Sequence, residues 1–269
     1  MDRPLAGRTA LVTGSGRGLG RAIAQRLAEL GAAVAVHDVS EEAPAEFGEA
    51  PDLDSVADEL RRTGVCTVAV IGDIGDEAAV ASMVREVESA LGPIDILVNC
   101  AGGDIAAAGG KPKPNNALGI PAADIRAIFD RNVIGTMLVC QAVCPGMIER
   151  RRGAVVNIAS VAAHFGVTDG VAYAAAKAAI VEFTRCLAKD LRPHGIRVNA
   201  VSPGPTMTAR FLATRPTDPK MSDPTAVPLE RYGQPAEIAD AVAFLAGDAA
   251  RFVSGQILCV DGGSCLFPT

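Results

Sequence analysis

The sequence predicts an α/β fold, in which a single doubly wound domain over residues 1–269 contains a parallel seven-stranded sheet with helices on both faces. Short apolar runs alternate with longer amphipathic segments along the chain, as in repeated βα units. The apolar runs are continuous, which is typical of strands that are covered on both faces. No linker, sequence repeat or low-complexity tract interrupts the alternation, so we expect one domain.

Composition excludes several classes of protein. The chain has 269 residues, 49% of them hydrophobic, which is enough for a large core. Its net charge of -6, without clusters of Lys and Arg, excludes a nucleic-acid surface. The seven scattered cysteines lack C-x-x-C spacing and favour reduced thiols, so we expect no metal. The N-terminal segment lacks a signal-peptide core and no apolar run approaches ~18 residues, so we expect a cytoplasmic protein without a membrane span.

The first predicted elements form a strand–turn–helix–strand unit. The strand Thr9–Thr13 leads into a glycine-rich turn, the helix Arg21–Leu30 follows, and the strand Ala33–His37 closes on Asp38. An acid about 20 residues after such a turn is typical of a dinucleotide-binding βαβ unit. The glycines allow close approach of a pyrophosphate, and the helix N-terminus offers its N–H groups to that anion.

The same alternation continues to the end of the chain. Each later helix is bounded by turn residues such as Pro193-His194-Gly195, or begins with a proline such as Pro235. The later predicted helices are Val56–Arg62, Asp76–Leu91, Ala122–Arg150, Val171–Leu191 and Pro235–Leu245, and the later strands are Val65–Ile71, Ile94–Val98, Ala154–Ala159, Ile196–Val201 and Gln256–Val260.

Three segments depart from this pattern. Ser40–Ser55 contains six acids, no base and two prolines, and we interpret it as a solvated surface insertion. Gly103–Pro121 is a long loop rich in Gly and Pro, of the kind that is usually functional or mobile. Thr206–Pro228 is polar and interrupted by prolines, and we expect it to be a mobile lid over the substrate.

One pair of residues indicates chemistry. Tyr173 and Lys177 are four residues apart on a predicted helix and therefore share one face. A phenol ordinarily has a pKa near 10, and a neighbouring ammonium group favours the phenolate and lowers that pKa. The pair could then transfer a proton near neutral pH.

Taken together, the motifs resemble the short-chain dehydrogenase/reductase family over essentially the whole chain. The resemblance rests on four matches in the order that the family has them, on the predicted alternation. They are the cofactor turn Thr13-Gly14-x-x-x-Gly18-x-Gly20, the sequence Asn99-Cys100-Ala101-Gly102 after strand four, Ser160 with Tyr173 13 residues later and Lys177 four further on, and Pro203-Gly204 after strand six.

The resemblance implies a role for each catalytic candidate on a Rossmann-type fold. Tyr173 would be the general acid/base, and Lys177 would lower its pKa and hold the nicotinamide ribose. Ser160 would bind the substrate oxygen, and Asn132 would anchor a water in the proton path. The alternatives are a strand-end cap for Ser160 and an exposed helix position for Asn132.

The resemblance also implies a nicotinamide cofactor, which moves the hydride while the protein handles one proton. Asp38 would bind the adenosine ribose, although a simple turn acid is the alternative. Asp73 would bind the adenine amine, and Asn99 would brace the strand-four turn. The full set of implied cofactor residues is Gly14, Ser15, Arg17, Gly18, Leu19, Gly20, Asp38, Asp73, Ile74, Asn99, Ala101, Gly102, Tyr173, Lys177, Pro203, Gly204 and Thr206.

We therefore expect an NAD-dependent enzyme that interconverts a secondary alcohol and a ketone. Asp38 would repel the 2′-phosphate of NADP, whereas Arg17 could pair with it or turn to solvent. One alternative is an NADPH-dependent ketoreductase that acts on an acyl or polyketide-like ketone. The other is a catalytically silent NAD-sensing protein, which the presence of Ser160, Tyr173 and Lys177 disfavours.

The sequence does not specify the substrate. Arg210, Arg215 and Lys220 in the lid, with Lys111 and Lys113 in the long loop, could clamp a carboxylate or could form a solvated basic face.

The sequence also supports expectations about His164, Cys100 and the oligomeric state. His164 either lines the pocket or binds main chain, and Cys100 should be buried and inert. The alanine-rich Tyr–Lys helix and the apolar tail Cys265-Leu266-Phe267 occur in family members that form homotetramers, so we expect a homotetramer.

Overall fold

The computed structural model of the protein describes residues 3–225 and 229–266. Within these ranges, seven parallel strands form one sheet in the order β3-β2-β1-β4-β5-β6-β7, which confirms the predicted fold class. The strands are β1 Thr9–Thr13, β2 Ala33–Asp38, β3 Thr67–Ile71, β4 Ile96–Asn99, β5 Gly153–Ile158, β6 Ile196–Pro203 and β7 Ile257–Val260.

Helices cover both faces of the sheet. The α-helices are α1 Gly18–Glu29, α2 Leu53–Arg61, α3 Glu77–Leu91, α4 Ala122–Phe129, α5 Gly135–Arg150, α6 Val171–Leu191, α7 Ala209–Thr214 and α8 Pro235–Ala246. Apolar side chains of α1, α2 and α8 pack in one core cluster, and those of α3 and α5 with the end of α6 pack in a second. Because the strand order reverses between β1 and β4, the carboxyl ends of these two strands open a crevice, where such sheets bind ligands.

The predicted helix Ala122–Arg150 is helical throughout, but its middle turn, Asp130–Ile134, is a π-helix. By length and composition this stretch could cross a membrane, with a hydropathy of 1.3 in its most apolar window. Half of that window is buried inside the fold, and a core helix passes the same test, so the observation is weak evidence for a span. The expectation from the sequence concerned uninterrupted apolar runs, and this helix passes the test only on its length and mean hydropathy.

The acidic insertion is more ordered than its composition suggests. It contains a turn of 3₁₀ helix, Ala43–Phe47, with the side chains of Ala43 and Pro44 buried. Helix α2 begins at Leu53, three residues before the predicted start, because the Asp52 carboxylate caps it by accepting the Ser55 N–H at 2.7 Å. The interpretation of the whole segment as a solvated loop was therefore wrong.

Of the other two irregular segments, the long loop has no regular secondary structure and the expected lid has some. Residues 103–121 contain no helix or strand. The expected lid carries α7 and the 3₁₀ turn Pro219–Met221, while its residues 226–228 lie outside the described part of the chain. Its first residues are anchored, because Thr206 is buried and forms a bridge with Gly233.

Candidate active site

The glycine-rich turn after β1 lies directly against the turn after β4. Gly14 has a φ of +64°, and a Cβ at this position would lie 2.7 Å from the Ala101 Cα. A Cβ on Gly20 would overlap the main-chain oxygen of Gly14. The Thr13 hydroxyl accepts the N–H groups of Cys100 and Ala101 at 3.1 and 3.2 Å. Only a glycine-rich sequence can bring α1 and the two turns this close.

His37 holds the glycine turn in place. Its Nδ1 accepts the N–H of Gly14 at 3.2 Å, and its Nε2 lies 2.9 Å from the main-chain oxygen of Gly72. Since Nδ1 accepts from a main-chain N–H, the proton is on Nε2 and the ring is neutral. Ser15 completes the junction, because its Oγ accepts the His37 N–H and its own N–H donates to the His37 oxygen.

From the sequence, His37 was predicted only as a strand residue. The available signal was a histidine inside an otherwise apolar strand, one residue before the acid Asp38. Burial lowers the pKa of His37, which favours the neutral ring that the two hydrogen bonds require.

The acidic insertion reaches back onto the cofactor turn. Arg17 forms an ion pair with Glu46, and its guanidinium lies 5.2 Å from the centroid of the Phe47 ring. The Glu49 carboxylate accepts the Gly18 N–H at 2.8 Å, at the first residue of α1. Asp38 is buried, and its Oδ2 would lie 2.8 Å from a Cβ on Gly16. Arg17 is therefore held by the insertion instead of turning to solvent.

The other residues predicted to hold the cofactor surround the glycine turn and the end of β3. Helix α1 begins at the glycine turn without a capping side chain from Arg17, and Leu19 is partly buried beneath it. Thr208, at the start of the lid helix, is the nearest group to Gly18, 3.6 Å from the position of an added Cβ. At the end of β3, Asp73 is exposed with Oδ1 accepting the Gly75 N–H, while Ile74 is buried against Gly135.

A chain of buried amides connects β4 and β5 to α6. Asn99 donates to the Asn157 Oδ1 at 2.9 Å, and Asn157 donates to the Thr184 hydroxyl at 2.9 Å. Asn99 thus braces the neighbouring strand and, through it, the helix that carries Tyr173. Neither Asn157 nor Thr184 was predicted as a site residue from the sequence, although an asparagine inside an apolar strand was a visible signal.

Ser160, Tyr173 and Lys177 form one cluster at the carboxyl end of β5. The Ser160 hydroxyl is a hydrogen-bond partner of the Tyr173 phenol, and it also accepts the Ala162 N–H at 3.2 Å. Ser160 therefore caps a turn, which confirms the cap alternative, and it also faces the phenol; its contact with a substrate oxygen stays a prediction. The Lys177 Nζ lies 5.7 Å from the centroid of the Tyr173 ring and donates to the Ile158 oxygen at 2.8 Å.

The electrostatics of this pair differ from the sequence expectation. Burial raises the pKa of Tyr173, although the hydrogen bond with Ser160 acts in the opposite direction. Burial lowers the pKa of Lys177 to about 8. The prediction of a lowered tyrosine pKa is therefore wrong for the protein alone. Loss of phenolate solvation dominates, and the ammonium group is directed at main chain instead of at the phenol oxygen.

Asn132 lies in the π-helical turn and is fully buried, so it is not an exposed helix residue. Its Oδ1 accepts the Gly103 N–H, and its Nδ2 donates to the Gly103 oxygen, both at 3.0 Å. The same Nδ2 donates to the Ile128 oxygen at 2.8 Å. A Cβ on Gly102 would lie 2.5 Å from Asn132 Oδ1 and 3.6 Å from Lys177 Nζ, so these three residues meet at the crevice.

The remaining predicted residues lie around the same crevice. Pro203 ends β6, the Gly204 N–H donates to the Val260 oxygen, and the Thr206 hydroxyl donates to the Gly204 oxygen. The His164 Nε2 lies 2.9 Å from the Ser202 hydroxyl. Cys100 is half-buried and not fully buried as expected, and desolvation raises the pKa of its thiol to about 12, which agrees with an inert thiol. The described residues contain no group of three or more side chains that could hold a metal ion.

Replacing His37 by Asn should make stability less dependent on pH. The shorter amide cannot serve both Gly14 and Gly72, so we expect a loss of about 1–3 kcal/mol in unfolding free energy at pH 7.5. The pKa of His37 is lowered in the folded state, so its contribution is present above the unfolded value of 6.5 and is lost as pH falls below it. Urea unfolding should show that the difference in unfolding free energy between the wild type and the variant is smaller at pH 5 than at pH 7.5. An equal difference at the two pH values would contradict the assignment of a neutral His37 ring.

Comparisons with known proteins agree with this geometry. Residues 14–265 match the family model described as Enoyl-(Acyl carrier protein) reductase. The chain is 38% identical to cyclohexanol dehydrogenase of Rhodococcus sp. (strain TK6), over 97% of both chains. It is 35% identical to the 3-oxoacyl-[acyl-carrier-protein] reductase FabG of Staphylococcus aureus (strain Mu50 / ATCC 700699), over 95% of this chain and 97% of that protein.

Among solved structures, a 7 alpha-hydroxysteroid dehydrogenase complexed with NADH and 7-oxo glycochenodeoxycholic acid is similar over 97% of this chain and 96% of its own. The TM-score is 0.84 and the sequence identity is 34%. Fold, motif order and these relatives lead to one assignment. The chain belongs to the short-chain dehydrogenase/reductase family and is an oxidoreductase.

Proposed function

We propose that the protein is an NAD-dependent dehydrogenase that interconverts a secondary alcohol and a ketone. The observation that carries the proposal is the Ser160–Tyr173–Lys177 cluster beside a glycine cradle that fits a dinucleotide. The similarity to a cyclohexanol dehydrogenase supports an alcohol substrate. The similarity to FabG supports a second candidate, a ketoreductase for an acyl ketone that uses NADPH.

The residues divide the chemistry between them. A bound nicotinamide would donate or accept the hydride, so the protein must orient the substrate and move one proton. The Tyr173 hydroxyl would give its proton to the ketone oxygen or take one from the alcohol. Ser160 would hold that oxygen by a hydrogen bond. Asn132 would position Gly103 and the loop after β4.

Lys177 has two proposed tasks. Its pKa of about 8 leaves the ammonium group mostly protonated at neutral pH, so its charge would favour a phenolate that forms on Tyr173 during the reaction, although it does not lower the pKa of that phenol in the protein alone. It would also bind the nicotinamide ribose together with Tyr173. The other cofactor contacts would come from the glycine turn, Asp38, the ends of β3 and β4, and the segment from Pro203 to Thr206.

The acids around the ribose position support NAD over NADP. Asp38 faces the glycine turn, and Glu46 neutralises Arg17, the base that could otherwise bind a 2′-phosphate. Like charges at 4 Å repel by about 4 kcal/mol at an effective dielectric of 20, and exposure to solvent reduces this. We therefore propose a preference of roughly 10²-fold for NAD, since 1.4 kcal/mol corresponds to a factor of ten.

Changing Glu46 to Gln should shift the cofactor preference toward NADP. The substitution removes a charge and releases Arg17 toward a 2′-phosphate, so the ratio of kcat/KM for NAD to that for NADP should fall several-fold. Asp38→Ala should lower the ratio further. Adding Arg17→Ala to Glu46→Gln should recover part of the preference. A Glu46→Gln ratio equal to that of the wild type would show that the ion pair has no part in selection.

Changing Tyr173 to Phe should remove catalysis while leaving cofactor binding intact. The ring and its contact with Lys177 remain, but the proton donor is lost, so turnover should fall by at least 10²-fold. Steady-state kinetics and titration with NADH measure the two effects separately. Near-normal turnover in this variant would refute the proposed mechanism.

We propose that the enzyme is a cytoplasmic homotetramer. Phe252 and Leu266, which precede and follow β7 in the chain, are exposed, and so is Phe244 on α8. Apolar surface of this kind favours association. The tail residue Phe267 lies outside the described part of the chain.

Light scattering at micromolar concentration should give a mass near four times 27.5 kDa. Phe252→Asp should reduce that mass by placing a charge on the proposed interface. A wild-type mass of a single chain would reject the tetramer.

A further inference from the structure

One charged side chain beside the crevice has donors that the protein does not use. Arg210, on the lid helix α7, is half-buried and makes one hydrogen bond, from Nη2 to the main-chain oxygen of Asp104 at 3.3 Å. It forms no ion pair with any residue in 3–225 or 229–266. By contrast, the Arg197 guanidinium donates hydrogen bonds to the main-chain oxygens of Leu245, Ala246 and Gly247.

The position of Arg210 is fixed by the main chain of the loop after β4. A Cβ on Gly103 would lie 2.7 Å from its Nη1, and Asn132 holds Gly103 in place. Burial raises the pKa of Tyr173, and the charges of Arg215 and Arg210 act against that rise, so both guanidinium groups are within electrostatic range of the phenol. The Arg210 guanidinium lies against Gly103, next to the glycine that meets Asn132 and Lys177.

The nearby acid forms no ion pair with this cation. The Asp104 side chain is buried and its Oδ2 accepts the Asn115 amide at 2.7 Å, so its charge acts on the Arg210 guanidinium without a direct contact. Burial also raises the pKa of Asp104. Of the other bases expected to form an anion clamp, Lys111 is paired with Asp169, and Arg215 is exposed with its guanidinium 5.6 Å from the centroid of the Phe211 ring.

We propose that Arg210 binds a carboxylate of the substrate, which makes the substrate a secondary hydroxy acid or the corresponding keto acid. A guanidinium presents paired N–H donors that match the two oxygens of a carboxylate. A half-buried cation without a counterion gains most from an anion that arrives with the substrate. The inference rests on the proposed alcohol–ketone chemistry and adds the class of substrate.

The test compares hydroxy acids with their own primary amides, for example 4-hydroxycyclohexanecarboxylate and 3-hydroxybutyrate with their carboxamides. The wild type should show about 10- to 100-fold higher kcat/KM for the acid, the range expected for a charge-assisted hydrogen bond. Arg210→Gln should remove most of this preference, and Arg210→Lys should restore part of it. Arg215→Gln is the matched control, since it removes a charge that also acts on Tyr173 but whose guanidinium is exposed beside the Phe211 ring, and it should retain the preference.

A second readout separates this inference from the proposed function. Quenching of NADH fluorescence measures how tightly the same acids and amides bind to the enzyme–NADH complex, without turnover. Preferential binding of the acids that depends on Arg210 supports the inference even if none is oxidised. Turnover of amides or neutral alcohols without any preference for acids would overturn the carboxylate site and leave the dehydrogenase function intact. A preference that survives in Arg210→Gln would also overturn it.

Discussion

The hydrogen bonds among Asn99, Asn157 and Thr184 hold the catalytic helix against the sheet. Each of these side chains is buried, so breaking the chain would leave amide groups without partners in the core. Helix α6 is long and rich in alanine, and apolar packing alone leaves such a helix free to slide. Directional bonds fix its position along the sheet and thereby the distance of Tyr173 from the glycine turn.

Local patterns predicted the elements of the fold well. The strands are continuous apolar runs, and α6 has the predicted bounds Val171–Leu191 because a proline and a glycine follow it. The start of α2 was predicted too late, because the sequence does not distinguish Asp52 as the capping residue from the other acids of the insertion. The order of the motifs also predicted which residues gather at the crevice, since strand ends in a parallel sheet share one edge.

Features that depend on distant partners could not be predicted in the same way. His37 acts on Gly14 and Gly72, and neither contact follows from a periodic pattern. Glu46 of the insertion pairs with Arg17 at the start of α1, and the main-chain oxygen of Glu49 accepts from Arg21, so composition alone suggested a solvated loop. The pKa of Tyr173 depends on how much water burial removes, which the spacing of two residues does not reveal.

The π-helical turn places one extra residue beside the crevice while the helix on either side keeps its phase. A turn with i→i+5 hydrogen bonds holds about one residue more than an α turn, so losing one residue within Asp130–Ile134 would restore the regular helix and leave α4 in nearly the same phase relative to α5. Ile128 would keep its place beside Ala172 and Ala176 of the catalytic helix. The change would be concentrated in the turn itself, where Asn132 binds the main chain of Gly103 and Ile128.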